Sequence, residues 1–250
     1  MTGTNATGAA PRGVSGEQES ARWVREMFGR VAPRYDLLNH LLSFNLDKRW
    51  RARLAERVAP ALARTGACVL DLCCGTGDVL AALASRAAAG GTGCATVLGS
   101  DFCHPMLVAA RRKIRRGLLF EADALNLPLR EGSLDLVTMA FGFRNLANYD
   151  RGLEELLRVL KPGGVAAILE FSQPTNPAFG ALYRFFSAHV LARAGGLISG
   201  APDAYAYLPE SIQKFPDADQ LARQMYAAGF TRVEFERMTG GAVALHVGWR

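Results

Sequence analysis

A short apolar run that ends in glycines, followed by regular alternation of apolar segments, constrains this 250-residue chain more than any other feature. Residues 69–78 read VLDLCCGTGD: Val69, Leu70 and Leu72 give way to small residues and to Gly75 and Gly77. That pattern predicts a buried strand turning sharply into a helix, with glycine permitting positive φ and close approach of a ligand to the backbone. Strands are expected over 68–74, 95–100, 117–122, 134–140 and 164–171, with helices over 77–88, 105–115 and 150–160 between them. Such a rhythm builds a mostly parallel sheet covered by helices on both faces. A helix over 217–228 and strands over 231–238 and 242–249 follow. The last two are joined only by Thr239–Gly241, which predicts an antiparallel hairpin.

Outside this core the pattern changes. Residues 1–18 are rich in Gly, Ala and Thr and are expected to be a disordered tail. Residues 19–66 read as helices, with Leu37, Leu38, Leu41, Leu42, Trp50, Leu54 and Val58 at helical spacing. The alternating strand–helix domain then runs over 67–250, and 174–214 breaks its rhythm with prolines, glycines and aromatic residues. No apolar run reaches the ~18 residues that span a bilayer, and 1–13 lack the apolar centre of a secretory signal. Five cysteines, two of them adjacent at Cys73 and Cys74, fit neither a disulfide framework nor a zinc pattern, which predicts a reduced cytoplasmic protein. Four histidines show no metal spacing, so no metal is expected. The net charge is +6, and the densest cluster is Arg111, Arg112, Lys113, Arg115 and Arg116. It reads as a solvated helix end or as an attractor of anionic lipid. No aromatics interleave with it, so no nucleic-acid partner is expected.

The glycine loop selects among cofactors. A dinucleotide fingerprint needs a third glycine where this chain has Leu80. Asp71 within the loop and Asp78 at the helix start suit a cationic ligand better than a pyrophosphate. Asp78 reads equally well as an ordinary N-terminal helix carboxylate. Asp101 ends the second strand about two dozen positions after the glycines, the place for a ribose contact. Asp123 and Ala124 follow the third strand, where an acceptor can meet an adenine amino group. S-adenosylmethionine, with its sulfonium and amino-acid head, fits this set: Asp71, Gly75, Thr76, Gly77, Asp101, Asp123, Ala124 and Ala140.

With those residues assembled, the chain resembles the class I, Rossmann-like methyltransferases. It is most similar to the menaquinone/ubiquinone biosynthesis C-methyltransferases of the UbiE/MenG type, over roughly 22–250. The likeness rests on FGRVAPRYDLLNHLLSFNLDKRW (28–50), the glycine loop, AFGFRNL (140–146), RVLKPGG (158–164), EFSQP (170–174) and YLPESIQKFPD (207–217). Departures are Leu38 for a frequent Met, Asp47 for a frequent His, and Ala140 for an occasional Ser. The first two are expected on surfaces that pack or face solvent; Ala140 removes a hydroxyl that could touch the cofactor.

The resemblance implies ring-carbon methylation of a polyprenyl quinol, with a naphthoquinol or benzoquinol as acceptor. A ring carbon becomes nucleophilic when the neighbouring hydroxyl ionises, and a phenol titrates near ~10. A fixed cation favours the anion. Arg144 is the candidate, with Asn145 orienting and with water or Asp36 as proton acceptor; a structural ion pair of Arg144 with Glu170 or Asp36 is the competing role. Tyr35 and Asp36 are expected on a lid that closes over the cofactor, with Tyr207, Glu210 and Ser211 facing them. Phe179, Tyr183, Phe185, Phe186 and Val190 line a tail channel or are plain core. Transient contact with the inner face of the membrane and a homodimer are further expectations. Other acceptors, or a binding module without activity, are the alternatives.

Overall fold

The computed structural model describes residues 8–89, 95–114, 117–186 and 202–250. Among these, seven strands form one sheet in the order β3-β2-β1-β4-β5-β7-β6. They are β1 (Cys68–Leu72), β2 (Thr96–Asp101), β3 (Leu118–Glu121), β4 (Leu134–Ala140), β5 (Leu160–Phe171), β6 (Arg232–Met238) and β7 (Val243–Trp249). The first five pair in parallel; β7 runs antiparallel between β5 and β6. The strand order reverses at β1, which pairs β2 on one side and β4 on the other. Ligands of open α/β sheets bind at such a switch point, beyond the carboxyl ends of the strands.

The central strands form because both faces are covered. In β1 every residue after Cys68 is buried, and β4 and β5 read as near-continuous apolar runs. Helix α5 (Asp78–Ala89) packs Leu80 and Leu83 onto the sheet, and α7 (Tyr149–Val159) packs Leu153 and Leu156. Asn148 caps α7 by accepting from the Arg151 amide. Helix α10 (Ala218–Ala228) starts in an Asp217–Gln220 capping box and stops at Gly229 with φ +113°. The fifth strand, expected over 164–171, begins earlier, so that Lys161–Gly164 lie inside β5. The pairing with β4 slips there, from Leu134 opposite Leu160 to Leu136 opposite Val165, so the glycines make a bulge.

The glycine missing at position 80 is supplied from the facing strand. A Cβ on Gly99 of β2 would stand 2.5 Å from the Leu80 side chain. Close helix–strand packing is thus reached with the small residue on the strand and the large one on the helix.

The helices expected over 19–66 are α1 (Glu17–Val31), α2 (Tyr35–Leu42), α3 (Leu46–Arg57) and α4 (Ala59–Leu62). Helix α1 lies over the carboxyl ends of the sheet, where it meets α6 (His104–Lys113) and α9 (Pro202–Lys214). Val24, Met27 and Val31 pack there with Met106 and Tyr207. Arg25 donates to the Phe102 carbonyl at 2.6 Å and pairs with Glu121. The break in rhythm over 174–214 holds α8 (Pro177–Phe186) and α9.

The expectation of a disordered tail over 1–18 is corrected for the described part. Ala9 is buried and its amide donates to the Leu146 carbonyl at 2.7 Å. A Cβ on Gly8 would overlap the Ala147 carbonyl, so the small residues that looked like disorder let the chain press onto this backbone. Residues 1–7 lie outside the described residues.

Candidate active site

Five strand ends converge on the crevice. The turn after β1 places Cys73 at φ +54° and Gly75 at +53°, and the turn after β4 places Phe141 at +58°. Cys73 and Phe141 are side-chain-bearing residues held in a region that costs of order 1–3 kcal/mol, a feature that clusters at working sites. The two turns press together: a Cβ on Gly142 would lie 2.5 Å from that of Cys73. Gly77, at φ +87°, has the Ala110 methyl of α6 3.2 Å from where its own Cβ would be. A side chain there would be strained by the backbone and would crowd Ala110.

Asp101 fastens the glycine loop to β2. It accepts from the Gly75 amide through Oδ2 and from the Cys103 amide through Oδ1, each at 2.9 Å. Burial pushes its pKa up to about 6 despite those donors. Asp71 accepts from the Thr138 hydroxyl at 2.7 Å through Oδ1. Its Oδ2 is buried without a hydrogen-bond partner, and burial raises the pKa to about 7. An orphaned buried carboxylate oxygen beside a glycine cradle fits a ligand with a positive charge. S-adenosylmethionine would be held here by Asp71, the Gly75–Gly77 loop and Asp101, with Ala140 in the wall of the same cleft. Asp123 is exposed at the rim, its Oδ1 accepting from the Leu125 amide at 2.9 Å; Ala124 is buried in the core beneath it.

Across this cleft lies a cavity of about 320 Å³ with mostly apolar walls, lined among others by Met27, Phe28, Phe44, Trp50, Phe171 and Ile212. Tyr35, Phe141 and Asn145 line both spaces. Arg144, 6% exposed, enters the cavity from the turn after β4. Its Nη1 donates to Glu170 Oε1 at 2.8 Å and to the Phe141 carbonyl at 2.6 Å; Nε has no partner. The guanidinium lies 5.2 Å from the Phe171 ring centroid. Burial opposes the charge, and Glu170 together with Tyr35 and Tyr207 outweighs it, raising the Arg144 pKa above its ordinary value. Asn145 accepts from the Tyr207 hydroxyl at 3.2 Å, and burial pushes that phenol up to about 12. Tyr35 is raised by burial, with the Asn39 hydrogen bond, Arg144 and Arg51 pulling the other way.

Arg144, Asn145, Tyr35 and Tyr207 therefore meet in one place. Asp36 does not join them. It accepts from the Thr76 hydroxyl and pairs with Lys113 at 2.6 Å, over the glycine loop, and these contacts hold its pKa low against burial. Its side chain is a clasp between α2 and the loop. Lys113, counted above with a basic surface cluster, also reaches Asp78 at 2.5 Å. Of the rest of that cluster, Arg111 and Arg112 are exposed, and 115 and 116 lie outside the described residues. Glu210 pairs with Arg12 and Lys214 and Ser211 bonds the Leu208 carbonyl, so both face the N-terminal segment. Phe179 lines the large cavity; the side chains of Tyr183, Phe185 and Phe186, and Val190 entirely, lie outside the described residues.

Of the two places expected for Asp47, packed or facing solvent, it takes the packed one. It is 3% exposed and lines the cavity, bonded to Ser43 at 2.7 Å, His40 at 2.8 Å and Arg51. Neither Asp47 nor Arg51 was singled out by sequence reasoning as functional. The signal available was the Asp47–Arg51 spacing of four, which sets both on one helix face. Among the described residues no cluster of three or more His, Cys, Asp or Glu is placed to hold a metal ion.

A switch-point crevice with a glycine cradle, two buried acidic residues and an adjoining acceptor cavity defines a methyltransferase of the class I fold. Solved structures agree on the fold. A SAM-dependent methyltransferase from Thermotoga maritima aligns with TM-score 0.59 and 18% identity, over 90% of this chain and 98% of its own. The [4+2]-cyclase SpnF aligns with TM-score 0.63 and 16% identity, over 97% and 98%. The family profile described as the ubiE/COQ5 methyltransferase family matches residues 14–250, and the chain belongs to that family. A demethylmenaquinone methyltransferase of Thermus thermophilus is 50% identical over 228 residues, 90% of this chain and all of the relative. A ubiquinone/menaquinone biosynthesis C-methyltransferase UbiE of Syntrophotalea carbinolica is 44% identical over 230 residues, 90% and 93%.

Proposed function

We propose that this chain methylates a ring carbon of a polyprenyl quinol, foremost demethylmenaquinol and also a benzoquinol precursor. The observation that carries this reading is the shared wall of Tyr35, Phe141 and Asn145 between the cofactor cleft and an apolar cavity that contains a buried guanidinium. When bound, S-adenosylmethionine supplies an electrophilic methyl group and leaves as a neutral thioether. The protein has to turn an aromatic carbon into a nucleophile. Arg144 stabilises the quinolate, and Asn145 and Tyr207 orient it. Arg144 remains protonated, so the hydroxyl proton goes to water. The ring-carbon proton follows after transfer, which restores aromaticity. Asp36 has no part in either step, because Thr76 and Lys113 hold it on the loop side. Trp50, Phe141 and Phe171, with centroids 4.9–6.3 Å apart and planes inclined to one another, give the ring an apolar corner and exclude water.

The same reading makes the helices over 19–66 a lid, the core 67–250 the transferase domain and 174–214 the substrate side. It also brings the enzyme, cytoplasmic in this account, to the inner face of the membrane, where its substrate's tail resides. Among the described residues no helix is long and apolar enough to cross a membrane. Leu37 and Phe44 are instead 61% and 72% exposed, Phe44 lines the cavity, and Lys48 and Arg49 stand exposed just beyond it. Apolar tips beside cations suit an anionic bilayer surface. Methyl-labelled cofactor incubated with demethylmenaquinol in lipid nanodiscs tests the activity. Label in the quinol ring is expected; label in a different acceptor would refute the substrate while leaving the family intact.

A further inference from the structure

The part of the cleft beside the glycine loop is lined by Tyr35, Arg51, Asp71, Thr76, Asp78 and neighbouring loop residues. It contains one buried acidic oxygen without a partner, on Asp71, and one guanidinium, on Arg51, whose side chain is 13% exposed. Arg51 comes from α3, outside the transferase core. Both of its carboxylate contacts use Nη1: one to Asp47 in the same helix, the other to Asp78 at 3.4 Å. A guanidinium can serve a further carboxylate through the remaining nitrogens of its planar fork. Its central carbon lies 5.8 Å from the Phe141 ring centroid, and it also lines the large cavity. Asp47 keeps it there, being buried and itself held by Ser43 and His40.

We propose that Arg51 is the anchor for the α-carboxylate of the cofactor's amino-acid head, with Asp71 facing the α-ammonium and Asp47 acting as a positioning residue for Arg51. The charges match: a zwitterion needs one acceptor and one donor set at short range, and this end of the cleft offers a carboxylate oxygen and a guanidinium. The contact at 3.4 Å to Asp78 is long for a charged hydrogen bond, so an arriving carboxylate displaces little. The anchor sits on the N-terminal helices while the adenosine contacts sit on the sheet. Binding the head therefore ties α3 to the glycine loop and, through Phe141, sets the wall of the acceptor cavity.

Two ligands separate this contact from all others. S-adenosylhomocysteine has the amino-acid head, and 5′-methylthioadenosine has the same adenosine without it. Calorimetry on the full chain should show Arg51→Gln weakening S-adenosylhomocysteine by about 10- to 100-fold, the range for a lost charged hydrogen bond. 5′-Methylthioadenosine should change less than about twofold. Arg51→Lys keeps the charge and should restore part of the loss, and Asp47→Asn should cause a smaller loss of the same selectivity. Equal weakening of both ligands would make Arg51 a purely structural residue and overturn the proposal. Unchanged binding of both would place the carboxylate elsewhere and overturn it too. If Arg51→Gln fails to fold, the lysine and Asp47→Asn variants carry the same comparison. Wild-type protein that binds neither ligand would refute the cofactor itself, a different failure.

Discussion

Replacing Arg144 by methionine should damage the protein in two separable ways. Glu170 is 1% exposed and would lose Arg144, its cationic partner at 2.8 Å. Breaking a buried pair from one side costs about 3–5 kcal/mol, because the remaining charge is uncompensated. For a chain of this size that is a fall of roughly 6–20 °C in melting temperature. The double variant Arg144→Met/Glu170→Gln removes the stranded charge. Its amide can still accept from the Phe171 amide, which Glu170 Oε1 serves at 2.8 Å. It cannot serve the Arg144 amide equally well, now bound to Oε2 at 3.2 Å. Stability should therefore recover by about half, the residue being the ~1–3 kcal/mol of one misplaced backbone donor. Activity should not recover. A cation ~4 Å from the quinol hydroxyl is worth on the order of 4 kcal/mol at an effective dielectric near 20. Glu170 cancels part of that, leaving about two units of phenol pKa, or roughly 100-fold in quinolate at neutral pH. The assay is turnover with demethylmenaquinol from pH 6 to 10, alongside thermal melts. Wild type should level off above about pH 8, two units below the free phenol. The double variant should climb about tenfold per pH unit until the phenol's own pKa near ~10. S-adenosylhomocysteine affinity should hold within about threefold. A double variant with the wild-type rate and profile would refute the role given to Arg144. One that loses turnover and cofactor affinity together would assign it to the cofactor cleft.

Four further outcomes follow. Gly77→Ala forces a methyl against Ala110 at positive φ, so S-adenosylhomocysteine binding measured by calorimetry should fall at least tenfold, with about 1–3 kcal/mol lost in denaturant melts. Tyr207→Phe deletes the hydroxyl that holds Asn145 and should lower kcat about 5- to 20-fold with little change in melting temperature, steady-state kinetics being the check. Asp71 has a folded pKa near 7 against 3.8, so the folded state binds the extra proton. Its contribution is intact below about pH 4 and is lost as pH rises through 7, on the order of 4 kcal/mol. Ligand-free Asp71→Asn should therefore gain stability over wild type at pH 8 and match it near pH 4 in denaturant melts. Finally, Phe44→Ser should reduce co-sedimentation with anionic vesicles while leaving S-adenosylhomocysteine binding unchanged; equal sedimentation of both proteins would refute the docking face.

The sequence by itself determined the strand–helix alternation, the parallel core, the closing hairpin and the glycine loop with its acidic partners. These are local properties: burial periodicity, capping and turn chemistry are written in neighbouring residues, and a parallel sheet then sends every loop after a strand to one edge. That is why Gly75, Gly77 and Asp101 could be placed in one crevice from spacing, whereas Ala140 and Arg144 were placed there by the resemblance of AFGFRNL. Tertiary structure decided what each long side chain reaches. Asp36 is one residue from Tyr35, yet it turns to Thr76 and Lys113 while Tyr35 lines the cavity. Asp47 reads equally as packed or facing solvent, and it is buried and paired with Arg51. The missing third glycine is answered by Gly99, on a different strand. The Gly/Ala tail is packed where Ala9 meets Leu146. The partners lie from four residues away, for Asp47 and Arg51, to 137, for Ala9 and Leu146. The identity of a side chain fixes which partners it can accept, but only the packing of the whole chain fixes which partner is within reach.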